Sequence, residues 1–164
     1  MVVTGVEIVG LVLGSFPILL NCLDYYREGF EPLEEWWNFR THFNAFVDDI
    51  QHQMMRYHEN MLQLLDPLIA DNETLIKLVH DPRDTRWHDG SLEAPLERRL
   101  ASERDRFFRV IGRMQEVLDD LKRLLKICNG QVRLSHLRSL IRKAHMLIRY
   151  PGLAALKIDR GSGI

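Results

Sequence analysis

The residues best suited to chemistry at neutral pH are seven histidines: His42, His52, His58, His80, His88, His136 and His145. A metalloenzyme would set them in an HExxH pair, beside cysteines, or as Glu-x-x-His on facing helices, and none of these spacings occurs. His58–Glu59 and His80–Asp81 are sequence neighbours, and adjacent side chains on a helix point in different directions. The carboxylate pairs Glu34/Glu35, Asp48/Asp49 and Asp119/Asp120 recur where long helices need polar faces. No glycine-rich phosphate loop with its lysine is present, and Gly10 and Gly14 follow no strand. Cys22 and Cys128 form neither a metal motif nor a disulfide scaffold, so they read as reduced intracellular thiols, with Cys22 inert inside an apolar segment. The expectation is a non-enzyme with no metal, no cofactor and no small-molecule substrate.

What the chain has in place of a catalytic constellation is an apolar amino terminus. Residues 8–23, IVGLVLGSFPILLNCL, contain no charge, and Glu7 is the only charged side chain in the first 23 residues. As a helix that run would span about 24 Å, between a buried core helix and a minimal bilayer span of roughly 17–25 residues. No Lys or Arg precedes it, which argues against a secretory signal. Thr4 and Glu7 have capping-box spacing, so a first helix is expected from Gly5 toward Glu28, with Gly29 as its stop and Pro17 bending or breaking it. Gly10 and Gly14 form a GxxxG pair that admits another helix at close range.

The elements that follow are amphipathic. Pro32 is placed to open a second helix, whose seam runs through Trp36, Phe43, Val47, Ile50, Met54, Tyr57, Met61, Leu64 and Leu68, with Arg40 interrupting it. Trp36 and Trp37 are adjacent and cannot share one groove, which marks them as a candidate interface. Pro67 is placed to end or kink this helix, and Asp71 or Asn72 caps a short one through Val79. Residues 80–90, HDPRDTRWHDG, form the clearest loop, with Trp87 as a pin to the body. From Ser91 one long helix is expected to run to Asn129, its stripe carrying Leu96, Leu100, Phe107, Ile111, Met114, Leu118, Leu121 and Leu125. A further helix is expected over residues 132–149. With 46% hydrophobic residues and no alternating strand-like run, the chain reads as all-α: about four long helices plus one short helix, mostly antiparallel. Residues 1–150 form the bundle, and residues 151–164 read as a linker or the start of a further helix.

Charge is polarised along the chain. Through Glu97 there are 6 basic and 17 acidic residues, and from Arg98 onward 16 basic and 6 acidic. The halves can neutralise each other within an antiparallel bundle, or the basic part can meet an acidic partner or anionic lipid. Arg138, Arg142, Lys143 and Arg149 decorate one side of the helix expected over 132–149, which suits an anionic membrane surface. Nucleic acid is disfavoured, because neither a recognition motif nor an aromatic-basic platform accompanies the charge.

Three pieces, GVEIVGLVLGSF, LLNCLDYYREGF and EPLEEWWNFRTHFNAF, resemble the HeLo and HeLo-like domains at the amino termini of fungal heterokaryon-incompatibility and cell-death proteins. The likeness extends to the amino-terminal region of large fungal proteins that carry a degenerate kinase-like domain downstream. It is specific over residues 6–46. Pro17, the stretch 71–91 and the lack of an amyloid-type repeat set this chain apart. The resemblance implies a cytoplasmic helical bundle recruited conditionally to the plasma membrane once a downstream module, or self-association, releases its first helix. The membrane segment would then carry Val6, Glu7, Gly10, Gly14, Phe16, Pro17 and Leu20. The competing expectation is a soluble interaction or oligomerisation module with the first helix permanently in the core.

Overall fold

The computed structural model describes residues 5–30 and 36–127. All regular structure there is helical: α1 (Gly5–Phe30), α2 (Trp36–Leu65), α3 (Asn72–His80), α4 (Glu93–Leu100) and α5 (Arg104–Ile127), with one 3-10 turn in each connection from α2 to α5. The helix expected over 132–149 lies outside the described residues, as do Cys128 and the 151–164 boundary.

The core is organised around α1, which lies along α5 on one side and α2 on the other. Eight apolar α1 side chains are buried: Val6, Val9, Val12, Leu13, Phe16, Leu19, Leu23 and Tyr26. Their spacings of three and four keep them on one broad face of a 3.6-residue helix. Pro17 does not end the helix. It sits on the exposed side, and α1 continues through it. From α2, Tyr57 reaches into this core beside Phe16, ring centroids 6.1 Å apart, and its hydroxyl donates to the Val9 carbonyl at 3.4 Å. Burial pushes the Tyr57 phenol pKa upward, because the phenolate has no water to solvate it.

The α2 seam shows the expected period with a broader face. Phe39 and Phe46 join Trp36, Phe43 and Ile50 in the core, while Val47 and Met54 are half-buried and Arg40 is exposed. Asp71 caps α3 by accepting from the Thr74 amide at 2.9 Å, a bond that holds its carboxyl below the usual range. The single long helix expected after Ser91 is instead two. Ala101, at φ 45° and ψ −117°, breaks it between α4 and α5, and Arg104 bridges the break to Glu97.

The direction of α5 follows from its contacts. Gly5 lies under the Phe108 ring, and Ser15 meets Gln115 and Lys122, so α5 runs parallel to α1. Ser15 is the one buried polar residue of α1. Its hydroxyl donates to the Leu11 carbonyl at 2.8 Å and accepts from Lys122 Nζ at 3.1 Å. Lys122 also pairs with Asp119 at 2.6 Å, while Gln115 Nε2 donates to Asp119 at 2.9 Å. Partial burial opposes ionisation of Asp119, but these donors outweigh it and hold the carboxyl below its ordinary pKa.

Candidate functional site

Gly10 and Gly14 of α1 receive a loop where a second helix was expected. Residues 81–90 cross α1 as a strap: a β-carbon on Gly10 would stand 3.0 Å from Trp87 Cγ, and one on Gly14 would stand 3.2 Å from Pro82 Cβ. A methyl at either position would be tight against its anchor, and a larger side chain would collide with it. The Trp87 ring is buried, and its Nε1–H donates to the Leu78 carbonyl at 3.1 Å, so the indole's polar edge is satisfied as its body fills the gap.

The strap's shape comes from its aspartates. Asp81 accepts from the Arg83 amide at 3.0 Å, Asp84 from the Arg86 amide at 3.0 Å, and Asp89 from the Ser91 amide at 2.8 Å. Each is an Asx-type turn in which a short side chain replaces a backbone acceptor. Arg86 adds a fork to Asp84, Nε at 2.9 Å and Nη2 at 2.7 Å. Chiefly through the Arg86 side-chain bond, the Asp84 carboxyl is held down to about 2. Beyond Trp87, His88 Nδ1 stands 3.7 Å from Glu7 at the start of α1.

On its other side α1 carries a row of exposed residues. Leu11, Ile18 and Tyr25 are 45%, 50% and 69% exposed, and their seven-residue spacing aligns them in one stripe, with Pro17 and Asn21 beside it. A surface helix of a water-soluble domain ordinarily turns charged residues outward. Here charge returns only at Asp24, Arg27 and Glu28, where Arg27 pairs with Asp24 at 3.2 Å. Between Gly5 and Glu28 the helix is also long and apolar enough to cross a membrane, and half of its apolar window is buried in the bundle.

The residues expected to form the membrane segment therefore divide. Val6, Gly10 and Phe16 are buried, Glu7, Gly14 and Leu20 are half-buried, and Pro17 is exposed. Of the tryptophan pair, Trp36 enters an aromatic cluster with Phe39 and Phe43, ring centroids 5.2–6.0 Å apart. Trp37 is 67% exposed, with the Arg40 guanidinium 4.8 Å over its ring. Arg138, Arg142, Lys143 and Arg149 lie outside the described residues.

No family model matches the chain, and no curated protein or solved structure gives a significant match.

Among the described residues no three His, Cys, Asp or Glu side chains gather as a metal-binding group. One pairing escaped the sequence: the rings of His58 on α2 and His80 at the end of α3 lie 5.3 Å apart, centroid to centroid. Burial first, and then the neighbouring His80, lower the pKa of His58. Their separation of 22 positions carries no motif; only the short α2–α3 connection hints that the two helices would return to one another.

Proposed function

We propose that this chain is a HeLo-like helical domain that engages anionic membrane conditionally, in a fungal cell-death or self/non-self response, with α1 as the engaging element. The observation that carries the reading is the second apolar face of α1. One face is committed to the bundle, and the stripe of Leu11, Ile18 and Tyr25 stands ready to meet hydrocarbon. The resemblance of residues 6–46 to HeLo-like domains supports the same reading, and Arg138, Arg142, Lys143 and Arg149 are assigned to anionic lipid headgroups. Resting protein stays in the cytoplasm, because each large apolar side chain of α1 is held by about 1.5–3 kcal/mol of burial. Release needs a comparable return from the bilayer, from self-association or from a downstream regulatory domain. The role is binding, not catalysis.

The test uses vesicles of mixed phosphatidylserine and phosphatidylcholine. Forced oligomerisation through a fused coiled coil should produce binding and leakage, both lost on deletion of residues 1–23. Replacing Leu11, Ile18 and Tyr25 by serine should weaken binding while leaving the bundle folded. Reversal of Arg138, Arg142 and Lys143 to glutamate should weaken it on anionic vesicles only. Absence of binding and leakage even in the forced oligomer rejects the proposal.

A second reading has its own support. Seven-residue spacing along the stripe suits a helix–helix seam, and exposed Trp37 suits an interface anchor. Self-association that buries the stripe, with vesicles ignored, would favour a soluble interaction module.

A further inference from the structure

We propose that His58 and His80 form a two-imidazole binding site for a divalent transition-metal ion of the Zn²⁺, Ni²⁺ and Cu²⁺ class. The two side chains come from different elements, α2 and the last position of α3, and their rings are tilted by 48° with centroids 5.3 Å apart. Two imidazoles that share one ion at metal–nitrogen distances of about 2.0–2.1 Å, at a tetrahedral angle, have ring centres roughly 5 Å apart. The observed separation of 5.3 Å matches that spacing.

The hydrogen bonding of His80 sets up the ligand atom. Its Nδ1 lies 2.9 Å from the Ile76 carbonyl, and a carbonyl oxygen only accepts, so Nδ1 carries the proton. The other nitrogen, Nε2, keeps its lone pair. Metal-binding histidines are commonly oriented this way, with one ring nitrogen donating to a backbone carbonyl while the other coordinates. Both side chains stand on regular helix, and the α3 end is fixed by the Asp81 amide donating to the Lys77 carbonyl at 2.8 Å. His58 is half-buried, which restricts its rotamers before any ion arrives.

With no group of three His, Cys, Asp or Glu ligands among the described residues, water completes the coordination sphere. Affinity is accordingly modest, and selectivity follows imidazole: late first-row ions bind, while Mg²⁺ and Ca²⁺, which demand oxygen ligands, do not. The location gives binding a structural consequence. His80 immediately precedes the strap, and Pro82, two residues on, is the anchor against Gly14. An ion joining His58 to His80 ties the root of the strap to α2.

Titration of the untagged protein with ZnCl₂ and NiCl₂, followed by calorimetry, tests the site against His58→Gln, His80→Gln and, as control, His52→Gln on the exposed side of α2. Each of the first two should weaken binding by about tenfold or more, and the control should not. Wild-type melting temperature should rise with Zn²⁺, fall back on chelation, and be unmoved by Mg²⁺. A measurement that needs no variant is the imidazole region of the NMR spectrum, where the His58 and His80 resonances should shift together at one equivalent of Zn²⁺. Unchanged affinity in both glutamine variants, or shifts confined to other histidines, overturns the proposal.

Discussion

The indole of Trp87 lies so close to Gly10 that a β-carbon there would stand 3.0 Å from Cγ and 3.2 Å from the Trp87 Cβ. Glycine inside a helix costs about 1 kcal/mol relative to alanine, so its presence at position 10 is offset by what it admits. Gly10→Ala should change stability by less than about 1 kcal/mol, since the gain in helix propensity opposes a slightly tight contact. Gly10→Leu should cost about 1–3 kcal/mol by overpacking, and Trp87→Ala about 3–5 kcal/mol by leaving a cavity. In the Trp87→Ala background the leucine penalty should shrink, because the ring it collides with is gone. Urea unfolding of wild type and the four variants checks this, and a leucine variant as stable as wild type would mean that the strap does not rest on Gly10.

The strap should also respond to acid. Asp84 titrates at about 2 in the folded protein against 3.8 for an ordinary aspartate, chiefly because the Arg86 side chain donates to it. A depressed folded pKa contributes stability that is present above the unfolded value and is lost as pH falls through the folded one. The stability difference between wild type and Asp84→Asn should therefore be constant above about pH 5 and shrink between pH 4 and pH 2. Urea midpoints across that range measure it. A difference that does not vary with pH would remove the Asp84–Arg86 pair from the account.

Ala101 provides a test of a different kind. Its φ of 45° with ψ of −117° lies where an L side chain is disfavoured and glycine is not. Ala101→Gly should raise stability by about 1 kcal/mol, and Ala101→Val should lower it, because a β-branched residue fits that backbone worse still. Thermal melts of the two variants decide the matter. Destabilisation by glycine would show that α4 and α5 are continuous in solution.

These features differ in how far the sequence announced them. The α3 cap at Asp71, the turn chemistry of residues 80–90 and the stripe Phe107, Ile111, Met114, Leu118 and Leu121 were legible, because each depends on residues a few positions apart. Phe39 and Phe46 were missed because α2 is covered over a wider arc than a single seam. The break at Ala101 has no Gly or Pro to mark it. The partner of Gly10 was misjudged for a more general reason: a GxxxG pair states that something comes close, and only the tertiary fold says whether that is a helix or a tryptophan 77 positions away.

Ser15 brings polar contacts into the apolar seam between α1 and α5, meeting both Gln115 and Lys122. Lys122 Nζ lies 3.1 Å from Ser15 Oγ and 2.6 Å from Asp119, so a single ammonium joins the buried hydroxyl of one helix to a carboxylate of the other. Ser15→Ala leaves the ammonium its carboxylate and should cost about 0.5–1.5 kcal/mol, the usual value of one net hydrogen bond. Lys122→Met removes both bonds and leaves Asp119 without its main cation, so the cost should be larger, about 1–3 kcal/mol. If the two residues act through one another, the double variant should be less destabilised than the sum of the singles by at least about 0.5 kcal/mol. The Asp119 carboxyl should also titrate closer to an ordinary aspartate in Lys122→Met, visible in its carboxyl NMR shift, because the lysine is one of the donors that hold it down. Strict additivity together with an unmoved Asp119 would mean that apolar packing alone sets the register, and that Ser15 is merely accommodated within α1 by its bond to Leu11.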